Sequence, residues 1–230
     1  MKLQFKHQSF QREAARAVVD AFLGQPLQDA FAYRMDAGKG VLALETQGFR
    51  NQDLLLSDAQ LTKNIRTIQM RQDLQPVERV LRDAHGALAL SIEMETGTGK
   101  TYTYIKTMYE LYKHYGWTKF IIVVPSVAIR EGVIKSLETM ADHFAEEYGE
   151  RMQHFVYDSS RLTAIDQFAS DPKLHVMVIN TQAFNATDDK ARRISMQLES
   201  FGWQRPIEVL AAAQPILIID EPQSVLGADK

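Results

Sequence analysis

The stretch Met94-Glu95-Thr96-Gly97-Thr98-Gly99-Lys100-Thr101 constrains this chain more than any other. It fits the phosphate-loop pattern G-x-x-x-x-G-K-[ST] at the second glycine, the lysine and the threonine, and departs from it at Met94, where the pattern has its first glycine. Gly97 and Gly99 can take backbone angles closed to other residues, which lets successive N–H groups turn inward around a polyphosphate. The alternative is a glycine turn with an incidental lysine, and the flanking sequence argues against it. Leu88 to Ile92 is an apolar run suited to a buried strand, and Lys100 to Tyr115 carries Ile105, Met108, Tyr109 and Tyr112 at helical spacing. Lys113 and His114 suit the negative end of that helix, with Gly116 as the residue just beyond it. Strand, glycine loop and helix thus come in the order that sets a phosphate at a helix N-terminus. Thr96, Gly97, Thr98, Gly99, Lys100 and Thr101 are the expected nucleotide-binding residues. Lys100 would reach the β- and γ-phosphates, and the Thr101 hydroxyl would ligate Mg²⁺.

The rest of the chain supplies the sheet that such a loop requires. Phe120 to Val124, Val176 to Ile179 and Ile216 to Ile219 are short, β-branched runs of the kind buried on both faces of a parallel sheet, and Phe155 to Tyr157 adds a possible fourth. Helical stretches lie between them, notably Val127 to Phe144, with Ser126 placed to cap it. This alternation predicts a three-layer α/β domain. At the front, Phe10, Ala14, Ala17, Val18, Ala21 and Phe22 predict an opening helix within residues 1–30. Residues 31–84 read as an insertion. A hairpin turns at Asp36-Ala37-Gly38-Lys39-Gly40, a helix follows from its cap at Ser57, and a second helix carries Val77, Val80 and Leu81 after Pro76. Ala211 to Ala213 should end a helix before Pro215.

ILIIDEPQSV, Ile216 to Val225, holds the second informative pattern. A strand ending in adjacent acids presents carboxylates where open α/β sheets bind ligands. Asp220 would hold Mg²⁺ and Glu221 would polarise the attacking water; the plainer alternative is that they cap the next turn. Lys100 and Glu221 are the expected catalytic pair. Gln11, in the opening helix, has an amide that can pair with adenine, although it could equally be an exposed helix residue.

Bulk properties narrow the surroundings. With a formal net charge of −3, DNA binding would need a local patch, for which Lys190, Arg192 and Arg193 are one option and a solvated helix face the other reading. The absence of cysteine excludes disulfides and thiolate metal sites and is compatible with a cytoplasmic setting. No signal-peptide pattern or spanning apolar run is present, so no membrane is expected.

TGTGKT, VVPSVAIREGV, VINTQAF and IIDEPQ resemble, in order and spacing, motifs I, Ia, Ib and II of superfamily 2 helicases. DEPQ, METGTGKTY and PSVAIREGV look most like the Res subunit of type III restriction enzymes, and SFQREAARAV resembles the adenine-reading Q motif. In that group motif I commonly lacks the first glycine, so Met94 is a family variant. The resemblance implies that residues 1–230 form a first RecA-like domain that uses ATP and Mg²⁺. In the intact protein it would move on double-stranded DNA, with a Mod methyltransferase subunit as partner and a second RecA-like domain and a nuclease domain lying elsewhere. It also implies backbone contacts to DNA from Ser126, Arg130, Thr181 and Gln182. Without a second domain's arginine, hydrolysis by this chain alone is expected to be very slow. Other superfamily 2 helicases and a catalytically silent interaction domain are the competing readings.

Overall fold

The computed structural model describes residues 5, 8–27, 49–83, 86–159, 161–181, 194 and 205–225. The chain packs as two compact units, Met1–Leu27 with Asp53–Tyr115 and Gln28–Gln52 with Gly116–Lys230.

In the first unit, α1 (Ser9–Ala21) buries Gln11, Ala15 and Val19 along one stripe and packs against α2 (Asp58–Arg71) and α3 (Lys100–Tyr115). Ser57 caps α2 as its sequence predicts: its hydroxyl accepts from the Gln60 N–H at 3.3 Å, and the Gln60 side chain accepts in return from the Ser57 N–H. Asn64 on α2 donates to the Ala21 and Leu23 carbonyls, occupying groups that the end of α1 leaves unpaired. Asp20 sits between Arg71 and Arg16, each at 2.8 Å. Burial pushes its carboxyl up, but the hydrogen bonds from Arg71 and Arg16 outweigh burial and leave it below the ordinary carboxylate value. Tyr115 closes the bundle by donating to the Val19 carbonyl at 2.7 Å, and its burial lifts the phenol to about 12.

Two predicted elements of this unit are absent. Leu88 to Ile92 forms no strand: Leu88 makes a single antiparallel bridge to Arg82 and packs on the small core of Leu56, Leu61 and Val80. Leu90 and Ile92 are 41% and 50% exposed. No helix forms around Val77 to Leu81 either, because side chains of α2 take up that backbone. Arg66 donates to the Val77 and Glu78 carbonyls, while Gln69 and Thr62 accept from the Val77 and Val80 N–H groups. The predicted hairpin at Asp36 to Gly40 lies outside the described residues.

The second unit is built on a four-stranded sheet whose described pairings are all parallel. Its strands are β1 (Lys119–Val124), β2 (Gln153–Val156), β3 (His175–Asn180) and β4 (Ile216–Ile219), arranged β2-β3-β1-β4. Every residue of β1 is buried. On one face Ile121, Val123, Met177 and Ile179 join Ile165 and Phe168 of α5 (Thr163–Ser170) and Val209 and Leu210 of α6 (Pro206–Ala212) in one core. The alternate residues of β1 and β3 face the other way, where α4 (Val127–Tyr148) lies on both strands with Val133, Leu137 and Phe144 buried. This gives helices on both faces of a parallel sheet, the α/β architecture predicted from the sequence. A four-residue helix, α7 (Pro222–Val225), follows β4.

Candidate nucleotide site

The phosphate loop belongs to the first unit. Gly97 and Gly99 have φ of +81° and +86°, the left-handed values for which glycine is suited. A Cβ on Gly97 would meet nothing within 4 Å, whereas one on Gly99 would lie 2.4 Å from Nε2 of Gln11. Gln11 is 9% exposed and donates from that nitrogen to the Thr98 carbonyl at 2.9 Å. Gln11 therefore holds the loop's backbone and is not an exposed helix residue. Thr98 tightens the turn by donating from its hydroxyl to the Glu95 carbonyl at 2.6 Å, and α3 begins immediately at Lys100. Met94 is half-buried and is not among the non-glycine residues with positive φ, so a side chain at that position carries no left-handed strain. Thr96 is exposed, while Lys100 and Thr101 are half-buried in the first turn of the helix.

The second unit carries its predicted site residues along the edge where its parallel strands end. Ser126 follows β1 and caps α4, its hydroxyl accepting from the Ile129 N–H at 3.3 Å. Thr181 follows β3; its N–H donates to the Val124 carbonyl at 3.1 Å and its hydroxyl to the Pro125 carbonyl at 3.5 Å. Asp220 follows β4 and donates from its N–H to the Val123 carbonyl at 2.9 Å. Thr181 and Asp220 are thus both tied to the last residues of β1, just before Ser126. Glu221 is exposed with φ +53°, a left-handed conformation that costs a non-glycine residue about 1 kcal/mol or more. Arg130 lies one turn into α4 and pairs with Glu131 at 2.8 Å. Gln182, Lys190, Arg192 and Arg193 fall outside the described residues.

Sequence reasoning missed a polar cluster at the opposite edge, where β1 and β3 begin. Lys119 is wholly buried and donates from Nζ to the Phe168 carbonyl at 2.5 Å and to the Asp171 carbonyl, at the C-terminal end of α5. His175, its partner in the β1–β3 register, packs edge-on against Phe155. Burial lowers the Lys119 ammonium to about 8, partly opposed by the Asp171 carboxylate. Burial and then the Lys119 charge lower His175 to about 4. The available signal was positional: a lysine and a histidine each open an apolar run. Asn51, buried in the same region, had no such signal.

The loop fits a polyphosphate. It has open space at Gly97, two glycines in the required conformation, and a lysine and a hydroxyl at the start of a helix. Among the described residues no group of three or more His, Cys, Asp and Glu could hold a metal alone.

A left-handed glycine loop opening a helix, and a parallel sheet ending in adjacent acids, define a RecA-like P-loop protein of the α/β class. The sequence profile of the family described as type III restriction enzyme, res subunit, matches residues 5–222, and the chain belongs to that family. It is 32% identical over 191 residues to the type III restriction-modification enzyme EcoP15I Res subunit of Escherichia coli. It is 33% identical over 191 residues to the EcoPI Res subunit of Escherichia phage P1. Each match covers 75% of this chain and 19% of the relative. A third, the StyLTI Res subunit of Salmonella typhimurium, is 34% identical over 58% of this chain and 15% of its own length. The chain therefore spans about a fifth of the relatives it matches. No described helix is long and apolar enough to cross a membrane.

Proposed function

We propose that this chain is the ATP-binding motor segment of a type III restriction enzyme, in which Mg-ATP hydrolysis drives movement on double-stranded DNA. The intact enzyme would cleave that DNA in concert with a Mod methyltransferase subunit. The observation that carries the reading is the paired left-handed conformation of Gly97 and Gly99, held by Gln11 at the start of α3.

In this reading the N–H groups of residues 96–101 bind phosphate oxygens, and Lys100 balances their charge. Thr101 and Asp220 would each offer an oxygen ligand to Mg²⁺, which when bound would neutralise charge developing on the phosphates. Glu221 orients and polarises the attacking water. With its nitrogen engaged by Thr98, Gln11 offers its amide oxygen to the adenine amino group. Ser126, Arg130, Thr181 and Gln182 contact the DNA backbone.

Calorimetric titration with Mg-ATP tests the loop. Lys100→Ala is expected to weaken binding about tenfold or more, the scale of one lost charged phosphate contact. Gly99→Ala should also weaken it, since alanine is strained at φ +86° and its Cβ would displace the Gln11 amide that holds Thr98. Equal affinity in wild type and Lys100→Ala would overturn the assignment.

A further inference from the structure

β4 carries Asp220 and Glu221, yet it has only four residues, and Leu217 and Ile219 on it are exposed. Burial fixes strand register by making a one-residue slip expose the buried set, and a strand with an exposed apolar face lacks much of that discrimination. A slip of one residue would move Asp220 by about 3.3 Å and turn its side chain to the opposite face. Something besides apolar packing must hold this strand in place.

We propose that Asn51 is a positioning residue that pins the register of β4 and thereby sets Asp220 and Glu221 at the sheet edge. The significance of that position rests on the roles proposed above for the two acids. Asn51 is 3% exposed, and its amide is used on both sides. Oδ1 accepts from the Thr118 and Lys119 N–H groups at 2.8 and 2.9 Å, at the start of β1. Nδ2 donates to the Lys119 carbonyl at 2.8 Å and to the Gln214 carbonyl at 3.0 Å, two residues before β4. Its backbone N–H donates to the Ala213 carbonyl at 3.1 Å. Arg50 adds a bond from Nη1 to Oε1 of Gln214 at 2.6 Å, and Gln214 itself is held at φ +48°. One side chain thus ties the first residues of β1 to the approach of β4. The ladder then runs from Phe120 opposite Ile216 to Val123 opposite Ile219, and ends at the Asp220 bond to Val123.

Asn51→Asp separates this role from general packing. It keeps the shape and both acceptor contacts to β1, but removes the donors to Lys119 and Gln214. Asn51→Ser, neutral and smaller, serves if the aspartate variant does not fold. Two measurements are made on each: amide hydrogen exchange, and Mg²⁺-dependent strengthening of ATP binding beside an Asp220→Asn control. Exchange at β4 and Asp220 should accelerate about tenfold or more, the scale of losing one or two buried hydrogen bonds, with β3 unchanged. The Mg²⁺ effect should fall towards that of Asp220→Asn, with Mg²⁺-free nucleotide affinity retained. Wild-type exchange at β4, equal acceleration in β3, or a retained Mg²⁺ effect where Asp220→Asn abolishes it would each overturn the proposal. A Mg²⁺ effect untouched by Asp220→Asn would instead count against the role given to Asp220, and the exchange rates would still decide the register.

Discussion

At the edge where β1 and β3 begin, Lys119, His175 and Asn51 are buried, and the lysine and asparagine direct their side chains at backbone groups. Where β1, β3 and β4 end, Ser126, Thr181 and Asp220 are half-buried and Glu221 is exposed in a left-handed conformation. The same sheet thus buries polar residues against backbone groups at one edge and keeps them accessible at the other. Exposure at strand ends is what the ligand-binding role proposed for this edge would need. Full burial at the opposite edge is what holds short strands in position.

The largest expected effect tests the exposed edge. In the intact protein, Glu221→Gln should lower ATP hydrolysis in the presence of double-stranded DNA by about 10²- to 10⁴-fold, the usual range for a general base. Because Glu221 is exposed, unfolding free energy should change by no more than about 0.5 kcal/mol. A large stability loss with modest loss of hydrolysis would make this edge structural as well and erase the contrast.

The next effect tests the buried edge through pH. His175 is held neutral because its folded value, about 4, lies below the ordinary 6.5. Below pH 6.5 the unfolded chain therefore takes up a proton that the folded chain refuses. The stabilisation is fully present above 6.5 and is lost as pH falls towards 4, by up to about 3 kcal/mol. Burial lowers His154 too, so the comparison that isolates His175 is wild type against His175→Phe in urea unfolding at pH 7 and pH 4.5. The variant should lose less stability on acidification; identical losses would remove His175 from the account.

The two candidate motifs, one in each unit, were the most legible parts of the sequence. GTGKT and DEPQ stand out because the chemistry proposed for them demands particular residue types at fixed spacing, and β4 occurs where its apolar run lies, Ile216–Ile219. Helix α3 likewise spans the predicted Lys100–Tyr115, with Gly116 left-handed after it. The apolar run at Leu88 misled because hydrophobicity shows that a residue seeks burial without saying against what: Leu88 found the core beside α2, while Leu90 and Ile92 stayed exposed. Asn51 was invisible for a related reason. Its partners lie 67 and 163 residues away, and no local pattern records hydrogen bonds of that range.

The smallest effect separates two roles that coincide in Ser126, which caps α4 and is also proposed to contact DNA. Ser126→Ala removes the acceptor for the Ile129 N–H and should cost about 1 kcal/mol of stability. Glycine at an N-cap costs only a few tenths of a kcal/mol, because the exposed N–H groups reach water more readily. Ser126→Gly should therefore restore most of the stability while still lacking the hydroxyl. If both variants bind double-stranded DNA more weakly than wild type, although only alanine is markedly destabilised, the hydroxyl serves the DNA-facing edge directly. If DNA affinity instead follows stability through the pair, Ser126 is a cap and belongs with the buried edge in function, whatever its position. Urea unfolding and DNA binding on the same two proteins read both outcomes.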